Sequence, residues 1–241
     1  MSPQARAALD WSETVIGYKT YLEQIEPLLA GRRVLASGMT KEMDRAGQAL
    51  ELALNGVRTA VVSGGDPGVY GMAGVVLETA RARGLILGPE PDQVLIEVIP
   101  GLPALAAAAA LLGAPLAHDF ACVSLSDRLT PWETIARRLD LAAAADFVLV
   151  LYNPKSRGRD WQFQEACRIA ARHRPPATPV GLVSRAMRPG ESLTLTTLER
   201  APEAEVDMRT LAIIGNSRSY VYQSKMITPR GYLDKYQTPV R

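Results

Sequence analysis

The sequence predicts an α/β protein of two domains, each a mostly parallel or mixed sheet flanked by helices. Three observations carry that expectation. Short apolar runs of strand type alternate with helical periods over residues 1–113, the pattern of a parallel sheet covered on both faces. The run Thr-Ala-Val-Val at 59–62 empties into Ser63-Gly64-Gly65-Asp66-Pro67-Gly68-Val69-Tyr70-Gly71, a turn dense enough in glycine to bend sharply and expose its amides. The alternation then breaks at Gly113-Ala114-Pro115, which sets expected domains of 1–113 and 114–241.

The elements follow in order. Residues 3–10 read as a short helix, 15–17 as a brief strand, and 18–29 have helical spacing. A strand over 33–37 precedes a helix over 41–54 that stops at Asn55-Gly56. The strand at 59–62 leads into the glycine turn, and a helix over 72–83 leaves it. After Gly88-Pro89-Glu90-Pro91, the run Val-Leu-Ile-Glu-Val-Ile at 94–99 reads as a strand ending at Pro100-Gly101, with a helix over 103–112. In the second half, 120–125 is a strand, and Thr130-Pro131 starts a helix to 145 with Thr130 as its cap. Residues 147–152 form a buried strand by composition, Asn153-Pro154-Lys155-Ser156 a turn, and 160–172 a helix. Strands at 180–184, 191–197 and 209–214 complete the pattern, with a polar surface tail from Ser219.

Composition narrows the function classes. The 241 residues are 47% hydrophobic and 22% charged, ordinary for a globular protein with a real core. No apolar run approaches the roughly 18 residues of a membrane span, and the N-terminus has no leader pattern, so the chain reads as cytoplasmic with no membrane partner. Cys122 and Cys167 lie far apart, which argues against a disulfide framework or a cysteine-built metal site, and both read as buried apolar residues. Two histidines, His118 and His173, make a histidine-rich metal site implausible, so no metal is expected; His173, between two arginines at a helix end, reads as a solvated charge. A net charge of +2 gives no reason to expect nucleic acid. The charge is uneven: 9 Lys/Arg face 12 Asp/Glu in 1–113, against 18 and 13 in 114–241. A basic second half suits a carboxylate-rich ligand, and equally an ordinary solvated surface.

Phosphate-loop, dinucleotide, zinc-protease and serine-elbow motifs are all absent. What remains is a pair of strand-turn-helix junctions, 63–71 and 99–104, at the carboxyl ends of expected strands, where open α/β sheets bind ligands. Asp66 is placed to accept hydrogen bonds either from a ligand or from its own turn. Two such turns side by side would hold a neutral or zwitterionic small molecule by main chain. His118 with Asp119 at a strand edge suits either a structural or a catalytic role.

The motif Gly64-Gly65-Asp66-Pro67-Gly68-Val69-Tyr70 resembles that of the tetrapyrrole methylases, the class III S-adenosylmethionine-dependent methyltransferases. Further stretches resemble the ring-contracting branch of that family, which methylates C17 of precorrin-3B in cobalamin biosynthesis to give precorrin-4. They are Gly17-Tyr18-Lys19-Thr20-Tyr21, His118-Asp119-Phe120 with Ser124-Leu125-Ser126-Asp127, Thr130-Pro131-Trp132-Glu133, Leu151-Tyr152-Asn153-Pro154-Lys155-Ser156 and Ile213-Ile214-Gly215-Asn216-Ser217. One departure stands out. Members of the family usually open with a strand and a GxGPG-type loop ahead of a Thr/Ser-Pro-x-Ala segment, whereas Met1-Ser2-Pro3-Gln4-Ala5 matches that segment itself.

The resemblance implies that S-adenosylmethionine lies between the two domains and leaves as S-adenosylhomocysteine. Its contacts would come from Gly64, Gly65, Asp66, Val69 and Tyr70, from Pro103 and Ala104, and from Tyr152, Ala186, Leu211 and Ala212. Ring contraction requires a group that takes a proton from a hydroxyl, for which His118, Asp119 and Asp127 are the candidates. Lys19, Lys155, Arg157 and Arg185 would meet the carboxylates of the tetrapyrrole substrate. Family habit implies a homodimer. The rival readings are a sister corrin methylase acting at another ring position, a ribosomal-RNA methyltransferase of the same fold, and a non-catalytic tetrapyrrole-binding protein.

Overall fold

The computed structural model describes residues 1–156 and 158–236. The chain divides into two compact units, Met1–Pro103 and Ala104–Arg241. In the first, α1 (Pro3–Trp11) starts where the Ser2 Oγ accepts the Ala5 N–H at 3.1 Å, with Pro3 in the first turn. β1 (Thr14–Tyr18) leads to α2 (Lys19–Glu23), and Pro27 then confines the chain to a 3-10 turn over Glu26–Leu28. The helical spacing of 18–29 therefore yields two short pieces. β2 (Arg33–Ser37), α3 (Glu42–Leu54), β3 (Thr59–Val62) and α4 (Met72–Ala82) fall close to their expected bounds. Glu42 and Asp44 favour the positive start of α3, and Gly56, at φ +76°, ends it.

The three strands are parallel in the order β2-β1-β3, with Thr14 opposite both Arg33 and Thr59. Alternation along β3 puts Val61 against α3 and α4, beside Leu50 and Val76, while Ala60 and Val62 pack with Leu9, Val15 and Leu22 on the other face. The strand expected over 94–99 does not form. Val94 is buried and bridges to Leu87, but Leu95 and Val98 are 65% and 47% exposed. A strand needs a neighbour for its backbone groups, and among the described residues 95–99 find none. Strand-type composition alone supplies no partner.

The second unit begins with α5 (Ala104–Leu112), so the division lies ahead of the expected 113/114 junction. The reason is burial: Ala108 and Leu112 are sealed in this unit's own core. β4 (Gly113–Ala114), β5 (Phe120–Ser124), α6 (Trp132–Ala144), β6 (Val148–Tyr152), α7 (Gln162–Ala171), β7 (Pro179–Ser184), β8 (Ser192–Thr197) and β9 (Thr210–Ile214) follow. Pro131, rather than Thr130, takes the cap position of α6, and its carbonyl receives the Thr134 N–H. The five-stranded sheet runs β5-β6-β9-β7-β8 and is mixed: β5 pairs with β6 in parallel, and the other adjacent pairs are antiparallel. One face carries α6 and α7 over Leu149, Leu151, Leu182 and Ile214; the other carries α5 over Val148, Val150, Val183 and Ile213.

The tail is more than polar surface. β10 (Tyr220–Tyr222) and β11 (Lys225–Ile227) form a hairpin turned by Gln223 and Ser224, both at positive φ, ahead of α8 (Tyr232–Tyr236). β11 pairs with β4, and Met226 and Thr228 are fully buried. A Gln-Ser turn carries no glycine signal, so sequence pattern missed this hairpin. Among the described residues, no helix is long and apolar enough to cross a membrane, and no group of His, Cys, Asp and Glu could hold a metal ion.

Candidate active site

In the first unit, the carboxyl end of β3 opens directly into the glycine turn. The Ser63 Oγ accepts the Met72 N–H at 2.9 Å and so starts α4 from the far side of the turn. Gly65 sits at φ +82° and Tyr70 at +52°, conformations that fold the backbone back on itself. A Cβ on Gly64 would lie 2.7 Å from the Tyr21 ring, so only a glycine fits beneath that ring. Asp66 joins this turn to the second one. Its Oδ1 accepts the Gly68 N–H and its Oδ2 the Gly101 N–H, each at 2.8 Å. The two turns expected to lie side by side do so, and Asp66 serves its own turn and its neighbour.

In the second unit, strand pairing gathers one row of residues at one end of the sheet. Ser124 is opposite Tyr152, Leu151 opposite Ala212, Val183 opposite Leu211, and Ser184 opposite Thr210. Tyr152, Asp127, Lys155, Arg185 and Ala186 therefore all sit at or just beyond this end. The Tyr152 hydroxyl accepts the Leu105 N–H at 3.0 Å, which ties the start of α5, beside Ala104, to the end of β6. Leu211 is 3% exposed and packs with Tyr152 and Ala186 below α5. Ala212 is fully buried on the opposite face, against the α6–α7 side, and its backbone sits inside the ladder, so it offers no free surface.

The glycine turns of the first unit present main chain, which suits a neutral or zwitterionic small molecule. The sheet end of the second unit presents partly buried apolar side chains with one phenol. The tetrapyrrole (corrin/porphyrin) methylase model matches residues 1–202. The chain belongs to the tetrapyrrole methylases.

This tetrapyrrole methylase is 47% identical over 236 residues to a cobalt-factor III methyltransferase of Priestia megaterium, covering 98% of the chain and 43% of that relative's length. It is 45% identical to a probable cobalt-factor III C(17)-methyltransferase of Salmonella typhimurium, covering 96% of the chain and 93% of the relative. A precorrin-3B C(17)-methyltransferase of a Sinorhizobium species is 40% identical, with 96% and 91% covered. Among solved structures, the methyltransferase CobJ superposes with a TM-score of 0.87 at 36% identity, covering 95% of the chain and 93% of CobJ. A uroporphyrin-III C-methyltransferase of Thermus thermophilus complexed with S-adenosylhomocysteine gives a TM-score of 0.67 at 26% identity, with 89% and 90% covered.

The three acid–base candidates of this methylase do not come together. His118 and Asp119 precede Phe120 at the opposite end of β5 from Ser124, a strand's length from Asp127. There the His118 Nδ1 accepts the Asp119 N–H, and Asp119 is 69% exposed. Asp127 alone lies at the row containing Tyr152. It accepts from Gln162 Nε2 at 2.9 Å and stands 3.8 Å from Arg159. Arg159, only 9% exposed, also donates to the Leu125 and Asn153 carbonyls, and the Asn153 amide donates to Ser124 Oγ. Burial pushes the Arg159 guanidinium below its ordinary value, with the Asp127 charge opposing. Sequence reasoning missed Arg159 and Gln162, which carry no motif signal; Ser124 and Asn153 were visible only as members of quoted motifs.

Of the substrate-side cations, Lys19 is exposed and 3.9 Å from Glu23, and Lys155 is exposed. Arg185 sits at φ +52° with its Nε buried and without a hydrogen-bond partner. Arg157 lies outside the described residues. Cys167 is inert: burial pushes its thiol up to about 12. His173 is no bare charge, since its Nε2 meets Asp140 Oδ1 at 2.8 Å.

Proposed function

We propose that this methylase transfers a methyl group from S-adenosylmethionine to C17 of a precorrin-3B-level tetrapyrrole and contracts the ring, within cobalamin biosynthesis. The observation that carries the reading is the near end-to-end match to the Salmonella relative named for C17 methylation. The bound S-adenosylmethionine supplies an electrophilic methyl on a sulfonium. The chain's part is alignment, which provides much of the acceleration in a direct displacement. Gly64, Gly65, Val69 and Tyr70, with Pro103 and Ala104, present main chain to the cofactor; Tyr152, Ala186 and Leu211 give it an apolar surface, which favours loss of the sulfonium charge. Asp127 takes the hydroxyl proton during contraction, since its position at the sheet end sets it apart from His118 and Asp119. Lys19, Lys155, Arg157 and Arg185 pair with the acetate and propionate groups. The reading extends to a homodimer working in the cytoplasm.

Anaerobic incubation with S-adenosylmethionine and either precorrin-3B or cobalt-factor III tests it. The expected result is release of S-adenosylhomocysteine with a C17-methylated, ring-contracted product from at least one substrate. Methylation at another carbon would make the chain a sister corrin methylase. Pigment binding without S-adenosylhomocysteine release would make it a carrier.

A further inference from the structure

We propose that Asp66 is a positioning residue: a strut that locks the two glycine turns of the first unit into one main-chain surface for the cofactor. The inference rests on the reading that these turns hold S-adenosylmethionine. A carboxylate at the centre of a ligand site ordinarily spends its oxygens on the ligand. Asp66 spends one on the Gly68 N–H within its own turn and the other on the Gly101 N–H of the second turn, 35 residues along the chain. The turns meet backbone to backbone at this point: a Cβ on Gly101 would come within 2.1 Å of the Gly65 carbonyl oxygen and 3.2 Å of the Asp66 Cα. The first turn is also closed at its far side, where a Cβ on Gly71 would stand 2.6 Å from the Pro67 carbonyl oxygen. No side chain can come between the turns, so their relative placement depends on this contact and on the carboxylate that spans it. Amides presented in fixed positions bind a ligand without first losing conformational freedom. The strut's contribution is therefore to cofactor affinity.

The distinction is measurable because an asparagine has the same shape and one acceptor fewer. In D66N the amide oxygen keeps one of the two N–H groups and the NH2 opposes the other. Titration calorimetry with S-adenosylhomocysteine on the wild type, D66N, G101A and the double variant provides the test. Each single change is expected to weaken binding about tenfold or more. The double variant should be no more than about threefold weaker than the poorer single, because turns already uncoupled have little left to lose. In steady-state assays the KM for S-adenosylmethionine should rise in D66N while that for the tetrapyrrole holds. Binding by D66N at wild-type strength, or penalties that multiply in full, overturns the strut. Failure of the wild type itself to bind S-adenosylmethionine or S-adenosylhomocysteine overturns the cofactor reading instead. Amide hydrogen exchange on the wild type needs no variant to fold. Gly68 and Gly101 should both be protected, and both should slow further with cofactor; a Gly101 amide exchanging at the free-peptide rate overturns the proposal.

Discussion

Arg159 shows how much of the second unit's ligand end depends on one side chain with no motif signal. Its guanidinium holds the Leu125 and Asn153 carbonyls and stands beside Asp127, bracing the loops that follow β5 and β6. Arg159→Met keeps the length of the side chain and leaves two carbonyls short of a donor, so it should cost about 1–3 kcal/mol in urea unfolding. Asp207 makes a comparable brace beside β7 and β9. Burial disfavours its charge, but hydrogen bonds from the Thr210 Oγ and the Arg209 N–H, with the Arg209 and Arg185 charges, outweigh this and hold its pKa below the ordinary carboxylate value. A depressed folded-state pKa means that the stabilisation is present above about pH 4 and lost as pH falls through the folded value. Asp207→Asn should therefore be less stable than wild type at pH 7, by under about 1 kcal/mol because the side chain is 48% exposed. The gap should close on acidification, as read by thermal unfolding across pH.

At the scale of elements, α5 shows why an alanine-rich helix belongs where it does. Its small residues let it lie close to the sheet, and at Gly181 of β7 the fit leaves no room: an added Cβ would meet the Leu112 methyls at 2.5 Å. Gly181→Ala should cost about 1–3 kcal/mol by overpacking. Leu112→Ala alone should cost about 2–5 kcal/mol through the cavity it leaves. Combined, the two should cost less than their sum, a coupling that denaturant titration of the four proteins would reveal. The Gly215-Asn216-Ser217 turn after β9 is an element of another sort. Ser217 donates to Asp146 from both its N–H and its Oγ, and Asn216 closes on Arg218 and Ser219. It lies at the opposite sheet end from Tyr152, and these bonds hold the turn.

At the scale of the whole molecule, the two units differ in how deeply their sheets are buried. In the second, β6, β7 and β9 are sealed by helices on both faces. In the first, only β1 is buried along most of its length, while β2 is largely exposed and β3 half-buried. Amide exchange should therefore be faster in β2 and β3 than in β6, β7 and β9, as measured by mass spectrometry of native protein. Uniform protection across both sheets would contradict this account.

Local chemistry alone determined a large part of this protein. Alternation of apolar runs, Asn55-Gly56 as a helix end, and the glycines around Asp66 are short-range signals, and each reads directly as strand, cap or turn. The glycine turn, the second turn at Pro100-Gly101 and the likeness of the 151–156 stretch to a methylase motif came from the sequence in the same way. Tertiary structure decided whatever depended on a partner distant along the chain. Residues 95–99 have strand composition but, among the described residues, find no neighbour to pair with. The polar tail after Ser219 forms a hairpin because Met226 has a core to enter. Asp66 is a strut because Gly101 lies beside it, and His118 is separated from Asp127 because β5 runs between them. A residue's type limits which bonds it can make; only the fold determines which groups arrive within reach to make them.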